Sequence, residues 1–233
     1  CFSSPSALSE REMIALMSFR NVNVGVLALQ GAFREHKQLF EKIGAKVTEV
    51  RFPEHLKNIQ GLVIPGGEST TMAKLMMSYG FDKALPEFYQ SGGAIWGTCA
   101  GAIAISKEIV GYPNQPRLNL IDIAIERNAY GRQVASFETD LVVESFDTPF
   151  HAVFIRAPRI AGVGENVKVL ATYKNDPSMV QQDRLMATVF HPELTADPRV
   201  HEYFLKNVVA QLVKWSAKSR PSSAAPNPRN TLP

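Results

Sequence analysis

Cys99 stands in the pentapeptide Gly97-Thr98-Cys99-Ala100-Gly101, after the run Gly92-Gly93-Ala94-Ile95-Trp96 and before Ala102-Ile103-Ala104-Ile105-Ser106. The first run reads as a buried strand and the second as the start of a helix. A thiol in G-x-C-x-G at such a junction has the layout of a nucleophile elbow. The sharp turn presents the side chain above the sheet edge. Glycines two residues to either side admit backbone where a Cβ would clash. A helix beginning at Ala100 aims free N–H groups and its positive dipole end at the sulfur, which favours thiolate. The Ala100 N–H also faces the place where an oxyanion forms when a carbonyl is attacked. The plainer alternative is a small buried residue in a glycine turn, and the pentapeptide alone leaves the two readings level.

A nucleophilic cysteine needs a base, and the base needs a group that orients it. Of the five histidines, His36 falls on the first helix beside charges, and His55 lies in a loop after a proline. His151 precedes a strand, and His201 lies on the last helix. His191 directly follows the apolar run Leu185–Phe190, at the carboxyl end of a strand, where parallel α/β sheets place their sites. Glu193 follows two residues later. In an extended segment, positions i and i+2 point the same way, so the carboxylate would hold the ring and stabilise its charged form. Alone, His191 is more simply a structural histidine; with the cysteine elbow the pair is harder to dismiss. A third element, Pro65-Gly66-Gly67-Glu68-Ser69-Thr70, offers backbone N–H groups to an anion. Its alternative is an ordinary strand-to-helix turn.

The elements that must position these residues are legible from periodicity. Residues 21–29 read as a strand apolar on both faces, as for a strand covered on both sides. Residues 30–45 follow with Phe33, Leu39, Phe40 and Ile43 at helical spacing and Gly44 as a stop. Strands are expected at 46–52 and 61–67, then a helix at 68–80 capped by Ser69 or Thr70, and a helical stretch at 82–93. Ala94–Gly97 is a fourth strand and 100–109 a helix. Four strand–helix repeats predict an α/β fold: a mostly parallel sheet flanked by helices on both faces. From Leu120 the pattern turns strand-like, at 120–128, 134–146, 151–158 and 168–173, which predicts a small β insertion. Residues 184–194 return to a buried strand, and 197–215 form a closing amphipathic helix with Asp197 as cap and Pro198 in the first turn.

Composition bounds the class. The 233 residues are 45% apolar and 20% charged, an ordinary globular mixture without a run of membrane-spanning length. The net charge is +3, yet Lys214, Lys218, Arg220 and Arg229 supply +4 in the last twenty residues, leaving −1 elsewhere. The body therefore has no nucleic-acid footprint. The organisation expected is a flexible extension at 1–20, one domain at 21–215, and a disordered Ser/Pro/Asn-rich tail at 216–233. The extension lacks the apolar core of a secretory signal. Two cysteines make no disulfide framework, so a reducing compartment, the cytoplasm, is expected. No metal or cofactor is called for.

Residues 97–101, 191–193 and 65–70, in this combination, resemble class I (triad) glutamine amidotransferases. Longer stretches at 25–36, 65–72, 96–103, 126–138, 153–158 and 190–201 resemble the glutaminase subunits of pyridoxal 5′-phosphate synthase, across residues 22–213. The resemblance implies a flavodoxin-like amidotransferase fold and hydrolysis of L-glutamine to glutamate and ammonia. It implies Cys99 as nucleophile through a γ-glutamyl thioester, His191 as base and then acid, and Glu193 as its orienting group. It implies an oxyanion hole from the N–H groups of Gly67 and Ala100. Gly67, Glu68, Ser69, Arg127, Ile155 and Arg156 match glutamine-binding positions, and Gln30 matches a contact to the synthase subunit that accepts the ammonia. No nucleic-acid or membrane partner is implied. The alternatives are a triad cysteine hydrolase acting alone, such as a γ-glutamyl hydrolase or peptidase, and a non-catalytic regulatory module. A glutamine hydrolysis assay separates them.

Overall fold

A computed structural model describes residues 19–127, 129 and 136–209. Seven strands form the main sheet in the order β10-β11-β12-β4-β3-β1-β2. Five of them run parallel: β2 (Lys46–Val50), β1 (Asn23–Leu27), β3 (Gly61–Ile64), β4 (Ala94–Thr98) and β12 (Leu185–Thr188). β10 (Lys168–Tyr173) and β11 (Asp176–Gln182) extend the sheet antiparallel beyond β12. Every residue of β3, β4 and β12 is buried, which is what coverage of both faces requires. The parallel order is the flavodoxin-like one, in which ligands bind outside the carboxyl ends of the strands.

The helices are short and amphipathic. α1 (Phe33–Lys42) buries His36, Leu39 and Phe40 and leaves Arg34, Gln38, Glu41 and Lys42 in solvent. Burying Leu39 and Phe40 stabilises the fold by roughly 1.5–3 kcal/mol each. α2 (Ser69–Ser78) and α3 (Phe81–Gln90) follow β3, and α4 (Ala100–Ile105) follows β4. α5 (Arg199–Tyr203) continues as a π-helical stretch, Phe204–Val209. The cap position falls on Pro198, one residue later than expected, while Asp197 Oδ1 still accepts from the Arg199 N–H at 3.0 Å. One hydrophobic cluster runs from Phe19 to Val209.

Several expectations need correction. The helix expected over 100–109 ends at Ile105. Ser106 turns extended, its hydroxyl bonding the Ile103 carbonyl at 2.9 Å, and Ser106–Val110 becomes β5. Pairing with β6 (Ile121–Glu126) outweighs local helical pattern there. α2 is capped by Glu68, not by Ser69 or Thr70. The β insertion is larger than expected. β5, β6 and β9 (Arg159–Val163) form one sheet, and β7 (Ser136–Leu141) and β8 (Phe150–Ile155) a ribbon. β9 and β11 were hidden by glycine, proline and polar residues. β10 and β11 join through Lys174 and Asn175, both at positive φ, the geometry of a tight primed hairpin turn. Phe19, expected in a flexible extension, is buried against the body. Residues 1–18, the end of the closing helix and of the domain expected to reach 215 (210–215), the tail expected at 216–233 and part of the 126–138 motif (128 and 130–135) lie outside the described residues. Among the described residues no helix is long and apolar enough to cross a membrane.

Candidate active site

Four connections leave the carboxyl ends of parallel strands and converge: Gln30 after β1, Gly66–Ser69 after β3, Cys99 after β4 and His191 after β12. Cys99 sits at φ 47°, ψ −104°, a conformation an L-residue rarely adopts and one that costs about 1–3 kcal/mol. The surroundings hold it there. Its N–H donates to the Thr188 carbonyl at 2.8 Å, and its own carbonyl accepts from Ile103 at 3.2 Å. The flanking glycines are required by contact. A Cβ on Gly97 would lie 2.4 Å from the Gly101 carbonyl oxygen, and one on Gly101 2.0 Å from that of Ile64. Cys99 is 7% exposed and lines a cleft.

His191 is held by its own N–H, which donates to Val153 on β8 at 2.8 Å. Its Nδ1 meets Glu193 Oε1 at 2.8 Å, with the two side chains 9% and 0% exposed. The contact does not come from an extended backbone, as the i, i+2 spacing suggested. Pro192–Leu194 is a 3-10 turn with His191 at its cap, and the turn folds the carboxylate back onto the ring. The Nδ1 bond leaves Nε2 for the cleft that His191 lines together with Cys99. Burial alone would depress the His191 pKa; the hydrogen bonds and charges of Cys99 and Glu193 outweigh it and raise the pKa. Burial likewise opposes ionisation of Glu193; the neighbouring imidazoles of His36 and His191 outweigh it and keep its carboxyl below the usual range, the hydrogen bond and charge of His191 being the part that holds with His36 neutral. The surroundings therefore favour an imidazolium at His191 beside an ionised Glu193.

A cleft of about 230 Å³ opens over the sulfur, lined by Gly67, Glu68, Ser69, Cys99, Ala100, Arg127, Ile155, Arg156 and His191. Ile103 and Pro158, not anticipated from sequence, complete the wall. Thus nine of the residues singled out share one cavity. Of the other two, Glu193 stands behind His191, and Gln30 braces the loop from outside. The Gln30 amide donates to the Glu68 carbonyl at 2.8 Å and accepts from the Glu68 N–H at 3.4 Å. The Glu68 carboxylate is occupied with capping α2. Bonds from the Thr71 hydroxyl and from the Thr70 and Thr71 N–H groups hold its pKa down at about 2. Ile155 ends β8, and Arg156 follows it at φ 43°. Arg127 lies 4.6 Å from the Tyr112 ring centroid and donates to Gln115. The 111–119 segment, uninformative as sequence, therefore orients an arginine of the cleft. A larger cleft, about 570 Å³, lies at the amino-terminal ends of β3 and β4, beside Gln60 and Gly93. It holds no nucleophile–base pair.

Sequence reasoning missed the ground behind Glu193. His36 and His201 are fully buried, with His36 Nδ1 2.9 Å from His201 Nε2. His36 Nε2 lies 3.3 Å from Thr98 Oγ1 and 3.4 Å from Glu193 Oε2. The available signal was spacing. His36 falls on the same helical stripe as Phe33 and Phe40, so its neighbours in sequence were charged but its face was not.

The sequence profile of the SNO glutamine amidotransferase family matches residues 26–210. The chain is 53% identical over 184 residues to a pyridoxal 5′-phosphate synthase subunit PdxT of Thermus thermophilus, covering 78% of this chain and 96% of that one. It is 53% identical over 188 residues to the PdxT subunit of Deinococcus radiodurans, covering 79% and 96%. A crystal structure of a glutamine amidotransferase superposes with a TM-score of 0.77 at 52% identity, covering 80% of this chain and 98% of that one. The Thermotoga maritima PurLQS structure (TM-score 0.57, 16% identity, covering 84% and 99%) shares the fold.

Proposed function

The chain belongs to the SNO glutamine amidotransferase family, and from that premise we propose that it hydrolyses L-glutamine and delivers the ammonia to a pyridoxal 5′-phosphate synthase subunit. The observation that carries the reading is the positive-φ Cys99 turn sharing one cleft with the buried, hydrogen-bonded His191–Glu193 pair and two guanidinium groups.

The chemistry follows from the geometry. The Cys99 sulfur attacks the side-chain amide carbon of glutamine, and the carbonyl oxygen becomes an oxyanion. The N–H groups of Ala100 and Gly67 stabilise it. His191, as imidazolium, gives its proton to the amide nitrogen; the C–N bond breaks and ammonia leaves. Water then attacks the γ-glutamyl thioester, His191 takes its proton, and the C–S bond breaks to release glutamate. Glu193 keeps the imidazole oriented and offsets its charge through both steps. Arg127 and Arg156 suit the α-carboxylate, since guanidinium pairs with carboxylate in two parallel hydrogen bonds. Gly67, Glu68, Ser69 and Ile155 complete the substrate pocket.

Coupling to the synthase has a physical handle in the Gly66–Gly67 peptide. The Gly66 carbonyl accepts from the Ala32 N–H at 3.4 Å, a long bond that a rotation would break at small cost. In a planar trans peptide the Gly67 N–H points opposite to that carbonyl, so rotation exchanges donor for acceptor at one place. Gln30, half-buried and bonded to both backbone groups of Glu68, is where a partner would bear on this loop. A chain that works with a biosynthetic synthase belongs in the cytoplasm. The test is glutamine hydrolysis by the chain alone and after co-purification with the synthase subunit. Turnover of γ-glutamyl or peptide substrates alone, with no response to the synthase, would instead identify a stand-alone hydrolase.

A further inference from the structure

The buried row behind Glu193 has no task in the chemistry above. Glu193 Oε1 is used by His191. Oε2 is buried, lacks a full hydrogen bond among the described residues, and faces His36 Nε2 at 3.4 Å. Behind His36 stands His201, whose Nδ1 meets no partner among the described residues. Three elements supply the row: α1 carries His36, the turn after β12 carries His191 and Glu193, and α5 carries His201.

We infer that His36 is a positioning residue for Glu193: its Nε2–H holds the outer carboxylate oxygen, and His201 Nε2–H fixes the His36 tautomer. The row Cys99–His191–Glu193 thereby extends two residues further into the protein. The inference rests on the glutaminase chemistry proposed above.

Proton placement selects this arrangement. Only one proton occupies the 2.9 Å gap between His36 Nδ1 and His201 Nε2. If His36 supplied it, His36 Nε2 would turn a lone pair toward the Glu193 carboxylate, and His201 would carry an unpaired buried N–H at Nδ1. If His201 supplies it, His36 donates from Nε2 to Glu193 and shares that proton with Thr98 Oγ1 at 3.3 Å. What this leaves unmet in the row, among the described residues, is a bare acceptor at His201 Nδ1, and orphaned buried donors are the rarer case. The 3.4 Å separation suits a bond that tightens when His191 gains its charge.

Both rings are clamped. His36 meets Trp96 edge-on at 5.3 Å, and His201 meets Phe40 at 4.9 Å and Trp96 at 5.0 Å. The ionisable groups facing this row are His191, Glu193 and Cys99. Burial lowers the pKa of His36 and of His201 to about 3. Both are therefore neutral in the working range. A neutral donor supports Glu193 without competing with His191 for its charge. Without that donor, burial would act on Glu193 less opposed, and the carboxyl would take up a proton at higher pH.

Glutamine hydrolysis is to be measured across pH with the synthase partner present, for the wild type, His36→Leu and His36→Gln. His36→Leu should lose about 10- to 100-fold in kcat, the scale of a misplaced catalytic group, with KM little changed. Its acid limb should move to higher pH. His36→Gln, which keeps an N–H at similar reach, should retain most of the rate and the wild-type acid limb. A wild-type profile in His36→Leu overturns the inference, as does equal damage in both variants at unchanged Tm. Independently of activity and of variant folding, ¹⁵N NMR of the histidine-labelled full chain should show His36 and His201 neutral, protonated at Nε2, down to pH 5. A proton on His36 Nδ1 would overturn it. A wild-type chain that hydrolyses no glutamine with its partner sinks the proposed function instead, and the NMR result still decides for or against the row.

Discussion

The Cβ that Gly101 lacks would stand 2.0 Å from the backbone carbonyl oxygen of Ile64. This close approach locks the first turn of α4 onto the end of β3, and so ties the Cys99 turn to the loop that carries Gly66 and Gly67. Gly101→Ala must displace backbone, not a flexible side chain. It should cost at least 1–3 kcal/mol, about what overpacking costs, and remove most of the activity. Gly162→Ala, whose new methyl would meet only Ala124 Cβ at 3.8 Å, should leave Tm almost unchanged. Thermal melts of both variants check the contrast. Equal Tm values would refute the tight-elbow account.

Cys99 should be the site labelled by a glutamine-like electrophile such as a diazo-ketone analogue, read by mass spectrometry. Cys99→Ser and Cys99→Ala should lose several orders of magnitude in turnover, as members of a catalytic unit do. Labelling at Cys1, or full activity in Cys99→Ser, would remove Cys99 from its role.

In the proposed mechanism Glu193 orients a ring and does not attack, so Glu193→Gln should reduce turnover less than Cys99→Ala does. An amide still accepts the 2.8 Å hydrogen bond from His191 Nδ1 but does not balance the imidazolium charge. Steady-state rates for the two variants decide it; equal losses contradict the ranking.

Acid should destabilise the fold before its carboxylates titrate. His36 and His201 have folded pKa values of about 3 against an ordinary 6.5. Their contribution is full above 6.5 and is lost as pH falls toward 3, because the unfolded chain takes up protons the folded one refuses. Each lost proton is worth about 1.4 kcal/mol per pH unit, roughly twice that for the pair. The raised His191 and His151 run the other way and add little slope below about pH 5.5, where both states are protonated. Urea unfolding between pH 6 and 4.5 should show this slope in the wild type and about half of it in His36→Gln. A flat profile in the wild type would mean the histidines are charged in the fold.

Glutamine hydrolysis by the isolated chain should be weak and should rise on titration with the synthase subunit. One oxyanion donor is worth roughly 3–4 kcal/mol, or about 100- to 1,000-fold in rate, and in the proposed mechanism the Gly66–Gly67 peptide controls one. The partner must bind the productive orientation more tightly for this to act as a switch. Unchanged turnover across the titration, with binding confirmed, would refute the coupling.

Much of the site was open to reading in the chain itself, because its parts are local. An elbow needs its glycines two residues from the nucleophile, and an orienting carboxylate two residues from its histidine is a short-range pattern. The parallel core was equally legible, since strands buried on both faces are apolar throughout, as β3 and β4 are. Where local pattern and tertiary pairing disagreed, pairing won. Ser106–Val110 left its helix for β6, and β11 formed across Asp176, Pro177 and Ser178 because β10 and β12 flank it on both sides.

What only the three-dimensional fold decided is which distant residues share a buried space. No spacing announces that His36, His201 and Glu193 meet, because the separation of 165 residues between the two histidines is bridged by the packing of α1 and α5 around Trp96. Nor does sequence show Tyr112 and Gln115 holding Arg127, or Glu68 spending its carboxylate on a helix cap while Gln30 grips its backbone. Chain-local chemistry is written in residue types and short spacings. Burial, tautomer and pKa depend on what the rest of the chain brings to within a few ångströms.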